Sequence, residues 1–229
     1  AQSISDILIS TASNEILLLD DSKHGLQMVN FTEKSFASSA SPFIPLPHDP
    51  HRLVVDSRME HLAVTSKWSR RLTLLSKDRN KDHKLSWQLE KTIDLTFAPG
   101  ELGFLPEQNK LLIADAFNGM LVLMDLENET TIFACQLPVN NIANLTIQPH
   151  PKQATLWLSG ESLNSYATTI NPEVTWGVLM DNQVRSIPLE HLFDSKRPTM
   201  HLGAVYGMGD ETGPGGDPGK VLVKANGAL

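Results

Sequence analysis

One cysteine in 229 residues, Cys135, excludes an internal disulfide, a cysteine-based zinc site and the C-x-x-C-H motif that attaches haem. No block of five or more Lys/Arg occurs and the formal net charge is −7, so a nucleic-acid polyanion is not the expected partner. No apolar run approaches the ~18–20 residues that span a bilayer, so no membrane insertion is expected. Ser159-Gly160-Glu161-Ser162 lacks the G-x-S-x-G elbow of a nucleophilic serine, and the glycines of 209–219 do not form a phosphate-cradling G-x-x-x-x-G-K-[ST] loop. What the chain has in quantity is apolar residues, 41% against 20% charged, enough for a sizeable core.

Those residues recur as a β-rich run, a polar turn and a second β-rich run, with little helical periodicity. VTSKWSRRLTLLS at 64–76 pairs without a gap with IADAFNGMLVLMD at 113–125, a period of 49. Val64 matches Ile113, Trp68 matches Phe117, and Leu72 and Leu74 match Leu121 and Leu123. ISTASNEILLLD at 9–20 reads as an earlier copy with a shorter turn; LWLS at 156–159 and WGVLMD at 176–181 read as a later copy with an inserted loop. A period of ~40–50 residues with four short strands per unit is the pattern of a β-propeller, whose sheets bury their faces only by stacking. A β-sandwich has similar turn spacing, but the long-period echo favours the propeller.

The expected fold is therefore all-β: one β-propeller domain over 1–229 with four-stranded antiparallel blades. Blade parts are placed near 5–35, 51–95, 101–138, 143–192 and 200–229. In the fourth unit the last two strands are placed at 174–181 and 183–192. The N-terminus reads as entering at a second strand, and GKVLVKA followed by Asn226-Gly227 reads as a strand leading into an unfinished hairpin. This gives three complete blades plus two partial ones, an incomplete ring or a fragment of a longer propeller.

LAVTSKWSRRLTLLS and LLIADAFNGMLVLMD resemble the YVTN-type bacterial β-propeller repeats, over roughly residues 5–190. The resemblance extends to propeller segments of planctomycete-like secreted proteins whose later region carries a c-type cytochrome domain. It implies an extracytoplasmic, periplasmic or secreted location, and a cytochrome domain as a partner outside this chain. It is specific for fold and weak for function, and with no C-x-x-C-H here it carries over no haem site.

In a propeller the inter-blade loops and the hairpins between second and third strands share one face. That face would gather His48, His51 and Arg52; Trp68, Arg70 and Arg71; Asp115, Phe117 and Asn118; and Asn140 and Asn141. An indole beside two guanidiniums can hold a carboxylate, a sugar or an acidic protein by stacking and bidentate bonds; the plain alternative is that Trp68 and Phe117 cap blade packing. His48 and His51 around Asp49 could take a metal only with a third ligand such as His201 or Asp210, and read better as loop histidines. Asp210, Glu211 and Asp217 lack calcium-loop spacing and read as an inter-blade loop. Cys135, in an apolar run without local positive charge, reads as a packing residue. No catalytic residue, metal or cofactor is expected. The expected function is a non-catalytic binding or scaffold module recognising a protein, polymer or small molecule at the loop face. The alternative is the propeller segment of a cytochrome-linked redox enzyme.

Overall fold

In the computed structural model, the residues described are 3–10, 13–32, 35–36, 43–79, 85–106, 109–150, 153–164, 166, 179–193, 202–210, 213–214, 219 and 221. They form a β-propeller of four antiparallel blades. The first comprises β1 (Ile4–Ser10), β2 (Glu15–Asp20) and β3 (Gly25–Thr32), with β4 (Ser35–Phe36) and β5 (Phe43–Pro45) both pairing with β3. The second runs β6 (Pro50–Val55), β7 (His61–Ser66), β8 (Arg71–Arg79) and β9 (Leu85–Asp94). The third runs β10 (Pro99–Phe104), β11 (Lys110–Asp115), β12 (Met120–Asp125) and β13 (Thr130–Gln136). The fourth runs β14 (Asn140–Gln148), β15 (Thr155–Leu163), β16 (Met180–Pro188) and β17 (Ala204–Asp210), edged by β18 (Gly213–Pro214). A single helical turn, α1 (Leu189–Leu192), follows β16. Among the described residues no helix is long and apolar enough to cross a membrane.

The 49-residue echo is exact in the strands that carry it: β7 and β11 begin at 61 and 110, and β8 and β12 at 71 and 120. The ends of the chain correct the expectation of three complete blades and two partial ones. Ile4–Ser10 is a first strand paired with β2 (Leu8 opposite Leu17), so the first repeat does not enter at its second strand. A strand–turn–strand rhythm joins strands one and two as well as strands two and three, so periodicity alone leaves the phase open. In the fourth blade the third strand lies at 180–188, and 204–210 is its fourth strand, with Val184 opposite Tyr206. The stretch expected to open a fifth blade thus completes the fourth. GKVLVKA and Asn226-Gly227 lie, but for Gly219 and Val221, outside the described residues.

The chain divides into two compact units, Ala1–Leu102 and Gly103–Leu229. The first unit's core joins two blades through Leu17, Leu19, Leu26, Leu53, Leu62, Val64, Leu75 and Trp87. The second unit's core joins Leu112, Leu121 and Leu123 to Leu145, Leu156, Leu158 and Ile187. Both faces of β7 and β11 are buried, as the run of five consecutive buried residues in each requires. Hydrophobic burial of ~1.5–3 kcal/mol per enclosed Leu or Ile side chain is what these stacked sheets gain.

Within the first unit a nearly buried ion pair pins the second blade to the first: Lys77 Nζ lies 2.6 Å from Glu15 Oε2, their side chains 7% and 13% exposed. The same ammonium stands 5.1 Å from the Trp87 ring centroid. Removing one partner of such a pair strands the other charge, whereas replacing both with apolar groups spares that cost. Glu15→Ala is therefore expected to lower unfolding stability by about 3 kcal/mol, and Glu15→Ala with Lys77→Met to recover most of it. Urea denaturation of the two variants checks this.

Candidate functional site

Turn chemistry shapes the hairpin between β11 and β12. Asp115, 5% exposed, accepts backbone N–H bonds from Phe117 and Asn118 through Oδ1, both at 2.9 Å. Asn118 Oδ1 in turn accepts from Met120 N at 2.8 Å, and the Phe117 carbonyl accepts from Asn141 N at 3.2 Å. Asp115 and Asn118 are engaged in holding the turn, which leaves the Phe117 ring 47% exposed at its tip. These three residues form one local arrangement, within the second compact unit.

The β7–β8 hairpin belongs to the first unit. Arg70 takes a left-handed conformation (φ +54°); its N–H donates to Lys67 O at 3.2 Å and its carbonyl accepts from Leu95 N at 2.8 Å. The Arg70 side chain is exposed. Arg71 Nε instead meets Asp94 Oδ1 at 2.9 Å, an exposed pair worth under ~1 kcal/mol. Trp68 is 61% exposed, with Lys67 Nζ 5.3 Å from its ring centroid. The Pro47–Asp49 loop backs the hairpin: Ser69 Oγ donates to His48 O at 2.9 Å, and Lys67 N to Asp49 O at 3.1 Å. His48 is exposed, its ring centroid 4.4 Å from that of His24.

Below this hairpin, Arg52 ties together the first strands β1, β6 and β10. Its Nε is paired with Glu101 Oε1, while Nη1 donates to Ser5 O at 3.3 Å and His51 O at 3.1 Å. Ser5 Oγ donates to Pro50 O at 2.7 Å, and Asp6 Oδ2 accepts from Leu53 N at 3.1 Å. Beside them burial, reinforced by the positive charges of Arg52 and Lys67 and opposed by Asp6, lowers the His51 imidazole to about 4. The structure thus brings His51, Arg52 and the base of the Trp68 hairpin together, and Arg52 serves as an internal strap with its carboxylate partner already present.

Among the described residues no three His, Cys, Asp or Glu side chains cluster as metal ligands. His201, Glu211 and Asp217, and the Asp210 side chain, lie outside the described residues, as does most of the 160–172 insertion. Cys135 packs against the second unit's core, and burial pushes its thiol up to about 11, far from a thiolate at neutral pH.

The second unit also holds a cavity of about 660 Å³ that lies apart from the site residues singled out by sequence. Leu105, Leu123, Pro149, Leu189 and Phe193 wall it, with Lys110, His150 and Glu190 as its polar lining. α1 forms part of the wall: Leu189 N donates to Ala154 O at 2.9 Å, and Gln153 Nε2 donates to Glu190 Oε1. The signal was present in LEHLF, where Leu189 and Leu192 turn inward at helical spacing within a stretch read as a strand.

The His51 environment has a pH consequence. Its folded value lies below the ordinary 6.5, so the unfolded chain takes up the proton first and stability falls as pH drops from about 6.5 toward 4. The expected contribution is roughly 2 kcal/mol, discounted for the ring's remaining contact with water. Relative to wild type, His51→Asn is expected to flatten the urea midpoint against pH between about 6.5 and 4.5.

No family model matches the sequence, and no curated protein matches it. Solved structures do match. Hydrazine synthase of Kuenenia stuttgartiensis aligns over 98% of this chain and 60% of its own, with a TM-score of 0.72 at 11% identity. A putative 6-phosphogluconolactonase of Bacteroides uniformis aligns over 95% of this chain and 60% of its own, with a TM-score of 0.57 at 14% identity. Dihydro-heme d1 dehydrogenase NirN aligns over 92% of this chain and 39% of its own, with a TM-score of 0.54 at 9% identity. The chain spans 60% or less of each of these three structures. At such identities the likeness establishes the β-propeller fold and leaves function to the chain's own residues.

Proposed function

We propose that this chain is a binding module, the propeller part of an exported YVTN-type protein, and that it recognises a carboxylate-bearing partner through the β7–β8 hairpin. The observation that carries the reading is Trp68, 61% exposed at a turn whose backbone is bonded on both sides. A large indole held in water by a rigid turn is an interaction anchor at low entropic cost. Lys67 and Arg70 put two positive charges on this turn of a chain whose net charge is −7, so an acidic surface is drawn to this tip. Of the two arginines singled out by sequence, Arg70 is the stronger contributor, because Arg71 already faces Asp94.

A second reading makes the chain the segment of a redox enzyme that docks an electron-transfer domain. Its support is that hydrazine synthase and a dihydro-heme d1 dehydrogenase are among the similar structures, together with the resemblance to cytochrome-associated propellers.

Titration with acidic peptides, measured by calorimetry, separates the two. Under the first reading Trp68→Ala and Arg70→Ala each weaken peptide binding by about tenfold or more while the thermal midpoint stays within about 1 °C. A collapse of the midpoint would make the hairpin a structural feature. Saturable binding of a c-type cytochrome, with no response to peptides, would favour the second reading.

A further inference from the structure

β16 carries two polar side chains that the binding reading leaves unused. Gln183 is 1% exposed and Arg185 5% exposed, and strand alternation projects both from the face that also bears Ile187, fully buried in the second unit's core. Arg185 Nε donates to Gln183 Oε1 at 3.0 Å. That bond occupies the amide oxygen and leaves its Nε2 as a donor. Neither Gln183 Nε2 nor Arg185 Nη1 has a hydrogen-bond partner among the described residues. Nor does any described carboxylate pair with the guanidinium; Asp181, on the same face, is exposed and forms no ion pair with it. Burial holds the guanidinium below its usual range, the mark of a charge whose water is not replaced. Such a group is costly to leave unmatched.

The neighbouring strands give this pair an approach. Gln183 lies between Gly160 of β15 and Gly207 of β17, and Arg185 between Leu158 and Val205. A Cβ on Gly160 would strike Val139 Cγ2 at 2.6 Å and Asn140 O at 2.9 Å, so that side is closed. A Cβ on Gly207 would meet only Asp181 Oδ2 at 3.7 Å. The outer strand therefore lays no side chain over the row that holds the unbonded amide donor.

We propose that Gln183 and Arg185 form a binding site for the carboxylate of a small organic acid, which enters beside Gly207. One guanidinium charge balances one carboxylate, and two unpaired donors match its two oxygens. A phosphate dianion would leave charge uncompensated in a buried setting.

Sodium acetate is the probe, with sodium chloride at equal ionic strength as the control and sodium phosphate as the competing anion. Acetate is expected to displace the Arg185 Nε–Hε and Gln183 side-chain amide NMR signals saturably, where chloride does not. At about ten times its Kd it is expected to raise the thermal midpoint by about 3–6 °C. Arg185→Met, which replaces the charge with an apolar chain of similar length, is expected to fold and lose the acetate response. Should that variant not fold, the wild-type NMR titration decides alone. Absent or chloride-like shifts overturn the proposal, and phosphate binding as tightly as acetate overturns the choice of carboxylate. If instead Glu173→Gln, Asp194→Asn, Glu211→Gln or Asp217→Asn lowers the midpoint while acetate does nothing, the chain's own acid fills the site and the proposal fails.

Discussion

The constraint on which this molecule depends is that its central strands are apolar on both faces. Leu62, Ala63 and Val64 of β7, and Leu111, Leu112, Ile113 and Ala114 of β11, are all fully buried. Alternating side chains point to opposite faces of a sheet, so such a strand cannot leave either face to water. A lone four-stranded sheet of this composition would expose an apolar face and a pair of unpaired edges. Stacking removes the first problem, and the shared clusters of each compact unit show it: neither blade in a unit supplies an interior by itself.

Stacking also explains the use made of the polar residues near the turns. Sheets that pack through their faces must be joined by connections whose backbone groups need partners, and the side chains nearest the turns provide them. Asp115 and Asn118 satisfy backbone N–H groups, and Arg52 gathers the first strands around Glu101. The exposed side chains at the turn tips are aromatic and cationic: Phe117 in one hairpin, Trp68 and Arg70 beside half-buried Lys67 in the other. The division follows from energetics. A buried acceptor or donor without a partner costs about 1–3 kcal/mol, so short polar side chains are drawn into the frame before they can serve a ligand.

How much of this was visible beforehand follows the same physics. The 49-residue period could be read residue by residue through β7 and β8 and through β11 and β12, because both copies bury the same strand positions. In the first and fourth blades the rhythm leaves the phase of the strands open. ISTASNEILLLD has the same rhythm in either of two hairpins, and the extra residues before β16 displace the last strands along the sequence without changing their composition. At the candidate site, the contacts of the named residues were not evident: no spacing rule says that Arg52 meets a carboxylate 49 positions away, or that Arg71 meets Asp94. Gln183 and Arg185 gave no signal, since an isolated Q-x-R in a β-rich segment looks like a solvated edge.

Mutual support between blades is tested most directly by native-state hydrogen exchange after a cavity mutation in one of them. Leu158, on β15, shares a core with Leu112, Leu121 and Leu123 of the third blade. In Leu158→Ala the account predicts an equal loss of protection, on the order of 2–5 kcal/mol, in the amides of β15 and in those of β11 and β12. Loss confined to β14–β17, with β11 and β12 exchanging as before, would show blades that stand alone and would contradict it.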